Sequence, residues 1–259
     1  MPEMTGYANG VPSWVDLSSP DIAASAAFYG GLFGWQFQDA GPDAGGYGMF
    51  LLRGKMVAGL GPLQDPNQPP AWSTYVNVDD ADTTVKTARE EGATVFVEPM
   101  DVMDAGRMAI FADPTGAVAG IWQPGQHRGA QLVNEPGAFC WNELNTRDPD
   151  RAKAFYAAVF GWEADTQSMG EGGPSYTEFK VGGRSVAGMM DMRGRLPDEA
   201  PPHWLVYFAV DDTDQTVATA TQQGGMTFMP PMDLPVGRFA VLGDPEGAVF
   251  AVIKMQPAE

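Results

Sequence analysis

Two acidic residues, Asp16 and Glu143, stand at matching places in a chain that repeats itself. Each follows a tryptophan by two residues, Trp14 in one case and Trp141 in the other, so acid and indole face the same side of a strand. A carboxylate that faces an apolar interior is costly unless it is paired, and its pKa is expected to rise. Such a group could be a general base or bind a donor of a ligand. The structural alternative is an acid that is hydrogen-bonded to backbone or paired with an arginine.

Two arginines recur together with the acids. Arg107 and Arg238 each follow a glycine, at an offset of 131 residues. They are the natural partners of Asp16 and Glu143, and they could also contact a ligand. We therefore predict that each acid is buried or half-buried and accepts a hydrogen bond from a basic or backbone donor, with these arginines as the leading candidates.

The sequence that positions these residues occurs twice. FYGGLFGW at 28–35 returns as FYAAVFGW at 155–162, and DPTGAV at 113–118 returns as DPEGAV at 244–249. The offset drifts only between 127 and 132 residues, which is typical of variable loops between constant elements. The repeat indicates two homologous modules of roughly 120 residues, each of a normal size for one hydrophobic core.

Each module is predicted to contain the order β-α-β-β-β twice. In the first module, Val11–Leu17 has the pattern of a strand, and Asp21 is placed to cap a helix that Gly34 ends. A second helix, capped by Asp79 or Asp80, repeats this arrangement. The order predicts an α+β fold.

The modules are predicted to cover residues 1–123 and 137–259. A segment without periodicity, residues 124–136, separates them and is interpreted as a linker.

These motifs resemble the vicinal oxygen chelate superfamily, which holds glyoxalases, bleomycin-resistance proteins and extradiol dioxygenases. The resemblance lies in FY…LFGW after the first strand, in the VDD that starts the second helix, and in the late DP-x-GA turn. The chain is similar in particular to tandem two-module actinobacterial glyoxalase-like proteins. The resemblance implies that each module is a pair of βαβββ units that form a curved sheet around a cavity.

Metal-dependent members of the superfamily place four ligands on inward strand positions. The resemblance puts these positions at residues that are mostly not metal donors: Trp14, Met49, Ser73 and Gly120 in the first module, and Trp141, Glu178, Leu205 and Ala251 in the second. Zinc and iron sites need about three convergent protein ligands, usually including imidazole. We therefore expect no metal and no other cofactor.

The resemblance also nominates aromatic and acid–base residues. Tyr75 and Tyr207 lie two residues after the third ligand position, on the same face. Aromatic walls suit flat apolar ligands, although ordinary core aromatics are the alternative. The aromatic candidates for ligand binding are Trp14, Tyr75, Trp122, Trp141 and Tyr207. His203 could be an acid–base group or a structural histidine at the rim. Under an enzyme hypothesis the catalytic candidates are Asp16, Glu143, Glu178 and His203.

Composition narrows the partners. The formal net charge is −18 and no basic cluster stands apart from it, which argues against nucleic acid and anionic membranes as partners. A single cysteine, no signal-peptide pattern and no membrane-length apolar run favour a cytoplasmic protein. The sequence leaves a homo-oligomer open.

Three functions follow from these observations. The first is a metal-free small-molecule-binding protein for a flat apolar or aromatic metabolite or drug. The second is a lyase, isomerase or oxygenase of the same superfamily. The third is an interaction protein whose cavities are closed.

Overall fold

Two eight-stranded sheets carry the chain, one in each module. The computed structural model describes residues 3–168 and 175–256. Module 1 consists of β1 (Pro12–Ser19), α1 (Ile22–Phe33), β2 (Gln36–Asp39), β3 (Gly48–Leu52), β4 (Lys55–Pro62), β5 (Ala71–Asn77), α2 (Ala81–Glu90), β6 (Thr94–Val102), β7 (Gly106–Ala112) and β8 (Val118–Pro124). Module 2 consists of β9 (Phe139–Thr146), α3 (Pro149–Phe160), β10 (Glu163–Ser168), β11 (Ser175–Val181), β12 (Arg184–Asp191), β13 (His203–Ala209), α4 (Thr213–Gln222), β14 (Met226–Leu234), β15 (Gly237–Gly243) and β16 (Val249–Met255).

The two sheets have the same topology. Their strand orders are β2-β3-β4-β1-β5-β8-β7-β6 and β10-β11-β12-β9-β13-β16-β15-β14. Within each βαβββ unit the first strand pairs in parallel with the last, and the two units of a module meet through the antiparallel pairs β1–β5 and β9–β13. The α+β class and the doubled βαβββ order predicted from the repeat are confirmed.

The four helices begin and end at residues whose types favour helix caps. Asp21 caps α1 through a hydrogen bond from the backbone N–H of Ala24, and Asp80, one of two predicted candidates, caps α2. Gly34 and Gly161 end α1 and α3 in the left-handed conformation that favours glycine. None of the described helices is long and apolar enough to cross a bilayer.

The hydrophobic core is shared between the modules, and the expectation of one core per module is wrong. Phe28 and Trp72 of module 1 lie in one cluster with Phe208 and Phe250 of module 2. A second cluster joins Phe111 of module 1 to the residues around α3. The helix-bearing faces of the two sheets therefore pack against each other, and each module completes the core of the other.

Two tyrosines lock this interface in reciprocal fashion. The Tyr29 hydroxyl donates to Asp244 Oδ2 at 3.0 Å and accepts from Trp72 Nε1 at 2.9 Å. The Tyr156 hydroxyl donates to Asp113 Oδ2 at 2.8 Å in the opposite direction. Both aspartates are at most 3% exposed. The tyrosine of each FY motif thus binds the aspartate of the DP-x-GA motif in the other module, and this contact occurs twice.

The segment predicted to be a linker is packed onto module 1. Ala130 N–H donates to the carbonyl of Ser13 at 2.8 Å, and Gln131 N–H donates to that of Met56 at 2.7 Å. The Tyr7 hydroxyl donates to the Ala130 carbonyl at 2.6 Å. Residues 124–136 are therefore held along the first module and do not form a free spacer.

We predict that Tyr29→Phe lowers the free energy of unfolding by about 1–3 kcal/mol, because it removes the donor to Asp244 Oδ2 and the acceptor of the Trp72 indole N–H, both of them buried. Tyr156→Phe should cost a similar amount, since its contact is the symmetric one. Tyr7→Phe is the matched control and should cost less, because its lost acceptor is a neutral carbonyl. Urea unfolding measures the free energy of unfolding of all three variants. If Tyr29→Phe is as stable as wild type, the contact does not hold the modules together.

Candidate functional site

The candidate site of module 1 is built around Asp16 on the face of the sheet that is turned away from the helices, called here the outer face. Alternation along β1 places Trp14 and Asp16 on this face, while Val15 and Leu17 enter the shared core. The Tyr47 hydroxyl donates to Asp16 Oδ2 at 3.2 Å and accepts from Trp14 Nε1 at 3.1 Å. A second phenol, from Tyr75 on the neighbouring strand, also donates to Asp16.

The same arrangement recurs in module 2 around Glu143. The Tyr207 hydroxyl donates to Glu143 Oε1 at 3.1 Å, and Trp141 Nε1 donates to the Tyr176 hydroxyl at 2.8 Å. The Tyr176 phenol also hydrogen-bonds to Glu143. Each outer face therefore carries one carboxyl, two phenols and one indole in the same mutual order.

A glycine in each module lets the phenol cross the sheet. Tyr47 lies directly over Gly59, the residue that pairs with Asp16 in the parallel register. Tyr176 lies over Gly188, which pairs with Glu143. A Cβ at either glycine would collide with the phenol oxygen, so the sequence reserves this space for the carboxyl–phenol contact.

The clusters hold carboxyls whose proton affinity is increased. Burial raises the pKa of Asp16 from 3.8 to about 6, and the hydrogen bonds from Tyr47 and Tyr75 offset only part of that rise. Burial likewise raises the pKa of Glu143. The partners are neutral phenols, whose own pKa values are raised by burial and by the nearby carboxyl. A carboxyl in such a place can donate or accept a proton close to neutral pH.

The burial predicted for the acids is confirmed, whereas their predicted partners are wrong. Glu143 is 4% exposed and Asp16 is half-buried. The arginines instead form exposed ion pairs on the helix side of the sheets. Arg107 binds Asp82 Oδ2 at 2.8 Å and Asp101 at 2.9 Å, and Arg238 binds Asp214 and Asp233 in the same way. Strand parity explains the error, since Arg107 and Arg238 point to the faces opposite those of the acids.

The other acid–base candidates lie outside the two clusters. Glu178 is half-buried, accepts from the Ser185 hydroxyl at 2.6 Å, and lines a surface depression of about 130 Å³ together with Tyr176. His203 begins β13, and its Nδ1 lies 2.9 Å from the Pro201 carbonyl oxygen. The structure does not bring either side chain into hydrogen-bond contact with Glu143.

One residue of the outer face was placed elsewhere by the sequence. His127, interpreted as part of the linker, lies against the Trp14 indole with ring centroids 4.3 Å apart and planes at 80°. Its ring also contacts Trp122 at 5.5 Å, and the Trp122 Nε1 donates to the His127 carbonyl at 2.9 Å. No periodicity marks this position in the sequence, so the contact could not be read from it.

Tyr47 and Tyr176 were also missed as partners of the acids, although a signal for them exists. They are separated by 129 residues, within the drift of the repeat. A tyrosine preserved between two modules is a candidate for a shared role, and an alignment of the modules against each other would have marked the pair.

The residues present do not fit the metal site of the superfamily. Leu205 and Ala251 lie together on the outer face of module 2 beside Trp141, and none of these side chains offers a donor. Among the described residues no group of three or more His, Cys, Asp or Glu side chains could hold a metal ion. The side chains of Trp14, Trp141, Leu205 and Ala251 cannot coordinate zinc or iron.

Comparison with known families matches both modules. The family model described as "Glyoxalase/Bleomycin resistance protein/Dioxygenase superfamily" matches residues 12–120 and 130–252. A protein of Mycobacterium bovis named "Putative glyoxylase CFP32" is 44% identical over 265 residues that cover the whole of both chains. The "Anthracycline biosynthesis protein DnrV" of Streptomyces peucetius is 41% identical over 269 residues, 98% of this chain and 96% of that protein.

Solved structures share the fold at low identity. The Mn(II)-bound glyoxalase from Novosphingobium aromaticivorans superposes with a TM-score of 0.64 at 16% identity, covering 95% of this chain and 83% of that one. This similarity supports the two-module architecture and nothing finer.

We predict that part of the wild-type stability is lost as the pH rises from about 4 to about 6. Asp16 has a higher pKa when folded than when unfolded, so between these values the folded state alone holds the proton. The loss is on the order of 3 kcal/mol and levels off above pH 6. Asp16→Asn removes the titrating group and should flatten this component, whereas Asp82→Asn, at an exposed carboxylate, should keep it. Urea unfolding of the three proteins across this pH range measures the effect. If stability depends on pH in the same way in wild type and Asp16→Asn, Asp16 is not the titrating group.

We also predict that protein purified without chelators contains only substoichiometric zinc, iron, manganese and nickel by elemental analysis, because few donors stand at the family's ligand positions. Added metal should leave the thermal midpoint unchanged, in Glu178→Gln as in wild type. A stoichiometric ion that Glu178→Gln releases would overturn this expectation.

Proposed function

We propose that this chain, which belongs to the Glyoxalase/Bleomycin resistance protein/Dioxygenase superfamily, binds a flat, mainly apolar small molecule on the outer face of its sheets, without a metal. The observation that carries the proposal is the cluster of indole, carboxyl and two phenols that occurs in both modules. It provides aromatic surface for stacking together with a small number of fixed polar groups for orientation.

The polar groups of the cluster suit an uncharged ligand. A carboxyl whose pKa is raised and whose partners are phenols can offer a proton donor as well as an acceptor. Hydroxyl and carbonyl groups on a planar ring system are the complementary chemistry. A ligand carboxylate or phosphate would instead need a cation, and the arginines proposed for that purpose are engaged on the other face.

The named relatives point in the same direction. Two Streptomyces proteins 41% identical to this chain are named for anthracycline biosynthesis, and anthracyclines are fused planar rings that carry hydroxyl and carbonyl groups. The mycobacterial relative named for a glyoxylase keeps a catalytic role in view. We therefore take a fused-ring hydroxyquinone as the ligand class to test first.

Acid–base catalysis at the same cluster is the second candidate. The observation that favours it is the carboxyl of Asp16, whose pKa is raised to about 6 and which could exchange a proton with a bound substrate near neutral pH. This would make the protein a lyase or isomerase acting on the molecule that it binds. Chromatography with mass spectrometry of the ligand after incubation separates the two functions: a binding protein returns the ligand unchanged, a lyase changes its mass, and an isomerase changes its retention time at constant mass.

The proposal predicts saturable binding of an anthracycline and of its uncharged aglycone, with a Kd on the order of micromolar or tighter. The chain contains seven tryptophans, so quenching of intrinsic fluorescence can follow the titration. Both compounds should bind with similar affinity, since the ring system makes the contact.

Salt is the control for non-specific attraction. The net charge of −18 attracts any cation, and that attraction weakens strongly in high salt. Binding of the aglycone should survive high salt. If only the cationic glycoside binds, and salt abolishes its binding, the proposed site does not exist.

A further inference from the structure

The outer faces of the two modules differ in what covers the tryptophan. In module 1 the Trp14 indole is 4% exposed, and the His127 ring lies edge-on against it. In module 2 the equivalent Trp141 is half-buried. Within the described part of the chain, no aromatic ring lies against Trp141.

His127 is fixed in place by its backbone. Its N–H donates to the Ala105 carbonyl at 3.0 Å, and its carbonyl accepts from Trp122 Nε1 at 2.9 Å. Three residues later Ala130 N–H is bonded to Ser13, next to Trp14. These backbone hydrogen bonds place the imidazole on the outer face of module 1.

The ring is held by aromatic contact and not by hydrogen bonds. His127 is 8% exposed, and neither ring nitrogen has a hydrogen-bond partner among the described residues. Burial lowers its pKa to about 4, so the ring is neutral at physiological pH. The imidazole therefore packs as a flat aromatic ring between the indoles of Trp14 and Trp122.

Module 2 has a smaller side chain than module 1 at one position near the tryptophan. Ile253 stands at the register position of Trp122, since Phe239 pairs with Ile253 as Met108 pairs with Trp122. The surrounding apolar side chains form a separate cluster of Leu205, Tyr207, Phe239, Ala251 and Ile253. A smaller side chain at this position leaves the Trp141 ring without the cover that Trp14 has.

We propose that the His127 imidazole occupies in module 1 the position that a planar ligand ring takes in module 2, so that the ligand site of this protein is the outer face of module 2 over Trp141. The inference rests on the proposed function and deepens it. It assigns one site per chain and fixes the contact as an aromatic ring set edge-on against an indole, with Glu143 within the same cluster.

Removal of the imidazole tests the first half of the proposal without any knowledge of the ligand. His127→Ala should lower the thermal midpoint, and millimolar imidazole should restore part of the loss by filling the ring-shaped space. Wild type and His203→Ala, which removes the chain's other histidine outside both clusters, should show no such rescue. If imidazole raises the midpoint of all three proteins equally, or of none, the space beside Trp14 is not a ring site.

Titration with the uncharged anthracycline aglycone tests the second half. Wild type should bind one equivalent, and Trp141→Leu should weaken binding by roughly tenfold or more. Ile253→Trp supplies module 2 with the bulk of module 1 and should also block binding; the thermal midpoint of each variant checks that it is folded.

The outcomes separate this inference from the function on which it rests. Two equivalents bound to wild type, or full affinity in folded Trp141→Leu and Ile253→Trp, would overturn the assignment to module 2 while binding itself stands. Absence of any binding to wild type would refute the proposed function and the module 2 site together, while rescue of His127→Ala by imidazole would still establish the ring site of module 1.

Discussion

The fold depends on a hydrogen bond that a tyrosine of each module donates to a buried aspartate of the other. Asp113 and Asp244 first organise their own turns, where Oδ1 accepts backbone N–H groups of the DP-x-GA loop. Their second oxygen then accepts a phenol from the helix of the opposite module. A buried carboxylate oxygen left without that donor would carry a desolvation cost, so the turn of one module and the helix of the other stabilise each other.

This exchange decides which surfaces remain for function. Because the helix-bearing faces of both sheets pack into shared cores, we place the ligand on the outer faces, which carry the carboxyl–phenol–indole clusters. The alternation of a strand then does the rest: Val15 and Leu17 serve the interface, and Trp14 and Asp16 between them serve the outer face. The same alternating strands therefore supply the module interface with one set of side chains and the candidate site with the other.

The sequence predicts the parts of this arrangement that repeat and misses those that do not. Motif offsets, caps and alternation identify the modules, the helix starts and the strand face that Asp16 shares with Trp14. They cannot identify neighbours across strands, which is why the sequence predicts Arg107, and not Tyr47, as the partner of Asp16. His127 was beyond reach for a different reason, since a segment without periodicity carries no information about which surface it covers. The shared core was also hidden, because a buried stripe on a helix does not reveal whose sheet it meets.

The choice of phenols over guanidinium groups as partners has a chemical consequence. An arginine beside Asp16 would hold the carboxyl ionised and would select anions from solution. Phenols stabilise the carboxylate less, so burial dominates and the proton stays with Asp16 up to a pH of about 6. With phenols in place of guanidinium groups, the outer face has aromatic walls, and neither cluster contains a cation. A chain of net charge −18 with such a face repels anionic metabolites and offers them no cation at contact. Neutral planar molecules meet neither obstacle, and an imidazole already rests on one of the two faces.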